Sequence, residues 1–101
     1  MNTMVQSPTF SAWLRELRDE VAKGLILRRM ISAELGNFGD CEPVGEGVSE
    51  MRVHHGPGYR VYFVRRGMAV YMLLCGGNKA NQKKDIRLAK KMARDMKESE
   101  T

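Results

Sequence analysis

The sequence predicts an α+β domain in which a helical hairpin lies on one face of an antiparallel sheet and a basic helix closes the chain. Three observations carry this reading. Apolar residues recur at helical spacing from Phe10 to Ala33. Between residues 50 and 74 the pattern changes to alternation and to runs of Val, Tyr, Phe and Leu, the composition of strands. From Ile86 onward a helical period returns on a strongly charged background.

Taken in order, Met4-Val5-Gln6 is compatible with a short edge strand, but three residues do not decide it. Ser7-Pro8 opens a helix, with Ser7 as N-cap and Pro8 in the first turn. Phe10, Trp13, Leu14, Leu17 and Val21 share one helical face, which assigns Trp13 to the core. A second helix covers residues 21–35, burying Leu25, Ile26, Met30 and Ala33. Gly24 marks a bend between the two helices, and Gly36-Asn37 ends the second. Residues 37–43 read as loop, and 44–47 as at most a short strand or turn.

Residues 50–54, 61–64 and 70–74 are the predicted strands. His55-Gly56-Pro57-Gly58 turns the chain between the first two, and Arg65-Arg66-Gly67 is the hairpin connection between the last two. The last helix begins between Asn78 and Gln82, with Asn78 or Asn81 as N-cap. Its narrow apolar stripe is Ile86, Ala89, Ala93 and Met96, and residues 98–101 form a fraying tail.

At 101 residues the chain has room for one core, so residues 1–101 form one domain. Hydrophobic residues at 43% and charged residues at 29% exclude a disordered tail. No apolar run reaches the roughly 20 residues of a membrane helix, and the N-terminus lacks signal-peptide character. Cys41 and Cys75 are too few for a disulfide scaffold and lack metal-site spacing. The expectation is a cytoplasmic protein without metal or cofactor. The net charge of +5 is uneven: residues 1–49 carry five Lys/Arg against seven acids, residues 50–101 twelve against five. A basic half points to a face that meets a polyanion; a solvated lysine-rich helix would give the same count.

Strand alternation places Met51, Val53, Val61 and Phe63 under the helices. Arg52, His54, Arg60 and Tyr62 then fall on the opposite face, if Arg52 pairs near Arg60. Cross-strand pairing of Glu50 with an arginine on a solvated face is the purely structural account of the same residues. Lys79, Lys83 and Lys84 gather at a helix start, where free N–H groups favour anions. With Arg60 a strand away, they outline a backbone-phosphate site. No carboxylate pair, no Ser/His/Asp order and no phosphate-loop motif accompanies them.

Glu50-x-Arg52, the run 56–63 (GPGYRVYF) and Leu73-Leu74-x-Gly76-Gly77-x-Lys79-x-x-Gln82-x-x-Asp85-Ile86-x-x-Ala89 together resemble the addiction-module killer proteins. These are HigB-like toxins of the RelE/ParE superfamily, from bacterial type II toxin–antitoxin systems. Phe10-x-x-Trp13-Leu14-x-x-Leu17 and the run 36–40 (GNFGD) fit the same family, so the resemblance spans about residues 5–96. Asn78 departs from it, standing where the pattern leads us to expect Asp.

The resemblance implies a RelE-like fold of two N-terminal helices packed on a small twisted antiparallel sheet, with a C-terminal helix beside it. It implies an mRNA endoribonuclease (mRNA interferase), in many members ribosome-dependent and metal-free. It also implies a small helix-turn-helix antitoxin as partner. On that reading Arg60 contacts the scissile phosphate, and Lys79 and Gln82 match the family segment after the last strand. Arg52, His54 and Tyr62 are the further catalytic candidates, with His54 or Tyr62 transferring protons. Lys83, Lys84, Arg65 and Arg66 are the RNA-binding candidates. ParE-type toxins share the fold but bind and inhibit DNA gyrase, which is the alternative. A toxin that has lost activity and only binds its antitoxin is a third possibility.

Overall fold

The computed structural model describes residues 1–99. In chain order the elements are β1 (Thr3–Gln6), α1 (Pro8–Glu16), α2 (Glu20–Glu34), β2 (Cys41–Gly45), β3 (Val48–Val53), β4 (Tyr59–Gly67), β5 (Val70–Asn78), a 3₁₀ turn (Lys79–Asn81) and α3 (Gln82–Ser99). All strands join one sheet in the order β1-β5-β4-β3-β2. β2 to β5 pair antiparallel, whereas β1 runs parallel to β5, with Thr3 facing Val70 and Gln6 facing Leu73. The class is α+β as expected. The sheet, however, is mixed and five-stranded, and the chain enters it through a strand before either helix. β1 has one half-buried side chain, Met4, so it shows no readable alternation. Its position is set by distant partners: the Thr3 N–H donates to the Ala69 carbonyl at 2.7 Å and the Ser7 N–H to Leu73 at 3.0 Å.

Ser7 caps α1 as predicted. Its Oγ accepts the Phe10 N–H at 3.0 Å and donates to the Leu74 carbonyl at 2.6 Å, tying the helix start to β5. Phe10 and Leu14 are buried, and Trp13 and Leu17 pack against the same core. Val21, expected on this stripe, is 62% exposed, because α1 stops at Glu16 and Leu17 is extended. Asp19 starts α2, its Oδ1 accepting the Ala22 N–H at 3.0 Å. The break therefore falls at 17–19, and Gly24 lies inside α2 with open space around it. An apolar period running through the junction hides a cap that the Asp19 side chain makes locally.

Two further elements differ from expectation. Residues 41–45 form an edge strand where most of the stretch reads as loop; Pro43 disguises it, being tolerated only because an edge strand needs no ladder donor there. The β4–β5 connection is Met68-Ala69, with Ala69 at φ 60°, so Arg65 and Arg66 belong to β4 itself.

The helical hairpin covers Met51, Val53, Val61 and Phe63, as the alternation predicts, together with Leu73. α3 covers the other face, over Val48, Tyr62, Leu74 and Cys75, with Ala89 buried against them and Ile86, Ala93 and Met96 alongside. It lies across the sheet and not beside it. Gly76 and Gly77 at the end of β5 permit close approach on both sides. A side chain at Gly76 would overlap the Trp13 ring, and one at Gly77 would overlap the Asp85 carboxylate. Helix α3 runs through Ser99; Glu100 and Thr101, the last residues of the expected frayed tail, lie outside the described residues.

Candidate functional site

In the β3–β4 ladder Glu50 stands opposite Tyr62, and Arg52 opposite Arg60, which is the register that brings the two arginines together. The face they share is not simply solvated. Glu50 is fully buried beneath the start of α3 and collects four partners. Its Oε1 accepts from Arg52 Nε at 3.0 Å and lies 3.4 Å from Arg60 Nε. Its Oε2 accepts from Tyr62 Oη and from Gln82 Nε2, each at 2.9 Å. Burial pushes the Glu50 carboxyl up, but the hydrogen bonds from Arg52, Gln82 and Tyr62 and the Arg60 charge outweigh it. The pKa lies below the ordinary value and the group is an anion.

This carboxylate positions both arginines. Arg52 is further held by Glu42 Oε2 at 2.9 Å, and its side chain is 27% exposed against 13% for Arg60. Arg60 Nε has no hydrogen-bond partner among the described residues, so it meets Glu50 as an ion pair and not as a hydrogen bond. Both line a cleft of about 380 Å³ with His54, His55, Gly58 and Lys79. Lys79 is brought there by the 3₁₀ turn. The Asn78 side chain caps the turn through the Ala80 N–H at 3.0 Å, and the Lys79 N–H donates to the Gly58 carbonyl at 2.8 Å. Gly58, at φ +80°, allows this approach, since its position faces the Lys79 and Arg60 side chains. Lys79 also borders a second cleft of about 370 Å³, lined by Gln82, Lys83, Lys84 and Arg87. The two clefts make one basic track that carries Arg52, Arg60 and the lysines of the α3 start.

The remaining candidates sit differently. His54 is at the cleft rim, 76% exposed and paired with Asp40. Tyr62 is buried, its hydroxyl turned onto Glu50, and burial together with that carboxylate drives its pKa upward. It has no route to a substrate proton in this arrangement. Gln82 contacts Glu50 and also lines the second cleft. Arg65 and Arg66 lie at the far end of β4, about five residues or ~16 Å along the strand from Arg60, beside Lys97 in a separate groove.

Cys75 is buried, with its thiol pushed up to about 12 by burial and by Asp85, so it is inert. Among the described residues no group of three His, Cys, Asp or Glu could hold a metal ion, and no helix is long and apolar enough to cross a membrane.

Three residues make contacts here that local sequence spacing does not show. Glu50 was visible as an arginine partner, but not as the buried centre of four contacts. His55 and Asp19 are 36 positions apart, yet His55 Nε2 meets Asp19 Oδ2 at 3.2 Å. Local spacing carries no trace of that pairing.

No protein-family profile matches the chain. A protein of Haemophilus influenzae, described as uncharacterized, is 42% identical over 88 residues, covering 87% of this chain and 89% of that protein. At that identity and coverage, the chain belongs to the same family as this Haemophilus influenzae protein.

Proposed function

We propose that the chain is a RelE-like toxin of a type II toxin–antitoxin module, acting in the cytoplasm as a ribosome-dependent mRNA endoribonuclease. The observation that carries this reading is the cleft in which a single buried carboxylate holds Arg52 and Arg60 beside Lys79. RNA cleavage of this kind proceeds by attack of the ribose 2′-OH on the adjacent phosphate, leaving a cyclic phosphate and a 5′-OH. Negative charge grows on the phosphorane, and fixed cations stabilise it without reorganising. Arg60 and Lys79 supply that charge; Arg52 is more fully occupied by Glu42 and Glu50. Lys83 and Lys84 extend the track along the RNA backbone. The resemblance to HigB-like toxins adds the antitoxin partner and the ribosome.

The test is to induce the protein in cells and map transcript ends alongside chromosome integrity. Transcripts cut within codons, with growth arrest relieved by a co-expressed antitoxin, are expected. Intact transcripts with double-strand DNA breaks would replace the nuclease by the gyrase-inhibiting alternative. Arg60→Ala should abolish cutting while the protein stays folded. Lys97→Ala, outside the track, should leave it intact. If folded Arg60→Ala cuts like wild type, the basic cleft is only a docking surface.

A further inference from the structure

We infer that His55 is the general base of this cleft, held in register by Asp19 at the start of α2. The inference rests on the nuclease reading above and names a proton acceptor that the reading leaves open.

His55 lines the same cleft as Arg52, Arg60 and Lys79. Its backbone is fixed at both ends. The His55 N–H donates to the Val53 carbonyl, and the His55 carbonyl accepts the Gly58 N–H, each at 3.0 Å. The ring is fixed as well, with Nε2 at 3.2 Å from Asp19 Oδ2, and the two side chains are only 32% and 35% exposed. Asp19 is itself anchored. Its other oxygen caps α2 through Ala22, and that backbone hydrogen bond, with smaller help from His55, holds its carboxyl below the ordinary range. A carboxylate fixed by a helix end therefore orients an imidazole at a cationic cleft, which is the base–orienter arrangement that proton transfer requires. His54 lacks this support, since it is mostly exposed and its partner Asp40 is 44% exposed.

The charged and titratable groups around His55 are Asp19 from α2, Arg52 from β3, Tyr59 and Arg60 from β4, Lys79 from the 3₁₀ turn and the neighbouring His54. With Nε2–H donated to Asp19, the Nδ1 lone pair, which has no partner among the described residues, is left to accept a proton. In the reaction Nδ1 takes the 2′-OH proton as the O2′–P bond forms. The P–O5′ bond breaks, and the 5′-oxygen leaves with the bonding pair and takes a proton from water at the open mouth. His55 then returns its proton to solvent, and the RNA ends are a 2′,3′-cyclic phosphate and a 5′-OH.

The experiment measures single-turnover cleavage on programmed ribosomes across pH for purified wild type, His55→Gln, Asp19→Asn and Lys97→Ala. Gln preserves a donor toward Asp19 but cannot titrate. His55→Gln should lose about 10²–10⁴-fold in rate, the usual worth of a positioned base, with ribosome binding unchanged. It should also lose the fall in rate on the acid side that a titrating imidazole produces. Asn caps a helix as well as Asp does, so Asp19→Asn should stay folded, with at most a small loss in melting temperature from the missing charge. It should nonetheless cleave more slowly, because the amide no longer enforces the tautomer with Nδ1 free. Lys97→Ala should match wild type. A folded His55→Gln that cleaves at the wild-type rate, or keeps the wild-type pH profile, overturns the assignment while leaving the nuclease standing. Wild type that cuts no RNA overturns both.

Discussion

Glu50 joins three elements at one carboxylate: Arg52 from β3, Arg60 and Tyr62 from β4 and Gln82 from α3. Removing one side of a buried ion pair leaves the other charges uncompensated, so Glu50→Ala should cost about 3–5 kcal/mol. Urea unfolding checks this, and an unchanged midpoint would mean the arginines find water instead. The pH dependence has a definite sign. The folded pKa of Glu50 is depressed, so its contribution is present above the unfolded value and is lost as pH falls through the folded one. Asp85 works in the opposite sense. Burial raises it, with Lys84 opposing, so its contribution is present at low pH and is lost as pH rises through the folded value. Asp19 and Asp40 are depressed as Glu50 is, so three groups outweigh Asp85: unfolding midpoints should drop in acid for wild type, and Glu50→Gln should flatten that drop. Arg60→Ala leaves Glu50 three donors and should perturb stability far less than it perturbs activity. Strand alternation was enough to put Arg52, Arg60 and Glu50 on one face. It did not reveal that the face is roofed, since that depends on where α3 lands.

At the level of elements, the contact between α1 and β5 turns on Trp13 and Gly76. Trp13 is half-buried, so Trp13→Ala should cost less than the ~3–5 kcal/mol of a fully buried tryptophan. Gly76→Ala drives a methyl group into the indole ring and should cost about 1–3 kcal/mol by overpacking. The double variant should cost less than the sum of the two, because the methyl then fills space the ring has left. Thermal melts of the three variants give the coupling; strict additivity would show that the ring moves aside freely. Elements with their own local signals were legible: the Ser7 cap, the apolar stripe of α3, the alternation of β3 and β4. Those fixed by remote partners were not. β1 is defined by hydrogen bonds to residues near 70, β2 is disguised by a proline, and the α1–α2 break depends on a side-chain cap within a continuous apolar period. The candidate site divides the same way. Lys79 and Arg60 are marked by sequence, while the Asp19–His55 pairing exists only in the folded chain.

Over the whole molecule, charge is concentrated where α3 begins. Arg52, Arg60 and Lys79 in one cleft continue into Lys83, Lys84 and Arg87 in the next. Each phosphate neutralised on a single strand contributes about 0.7 to the slope of log affinity against log salt. Replacing Lys83 and Lys84 with Ala should lower that slope by about 1.4 if both touch phosphates, and leave the cleavage rate of bound RNA nearly unchanged. Filter binding of single-stranded RNA at several salt concentrations measures it, and an unaltered slope would confine the RNA to the first cleft.

The parallel pairing of β1 with β5 also governs the timing of assembly on the ribosome. Residues 3–6 have their ladder partner in residues 70–73, so about seven-tenths of the sequence must be translated before the first strand has a sheet to join. Lys79 and the whole of α3 emerge later still. A growing chain therefore holds both histidines and both cleft arginines well before it holds the lysine or the helix that completes their surroundings. Translation stopped short of residue 78 would leave β5 unfinished and α3 missing, with Glu50 stripped of its Gln82 partner.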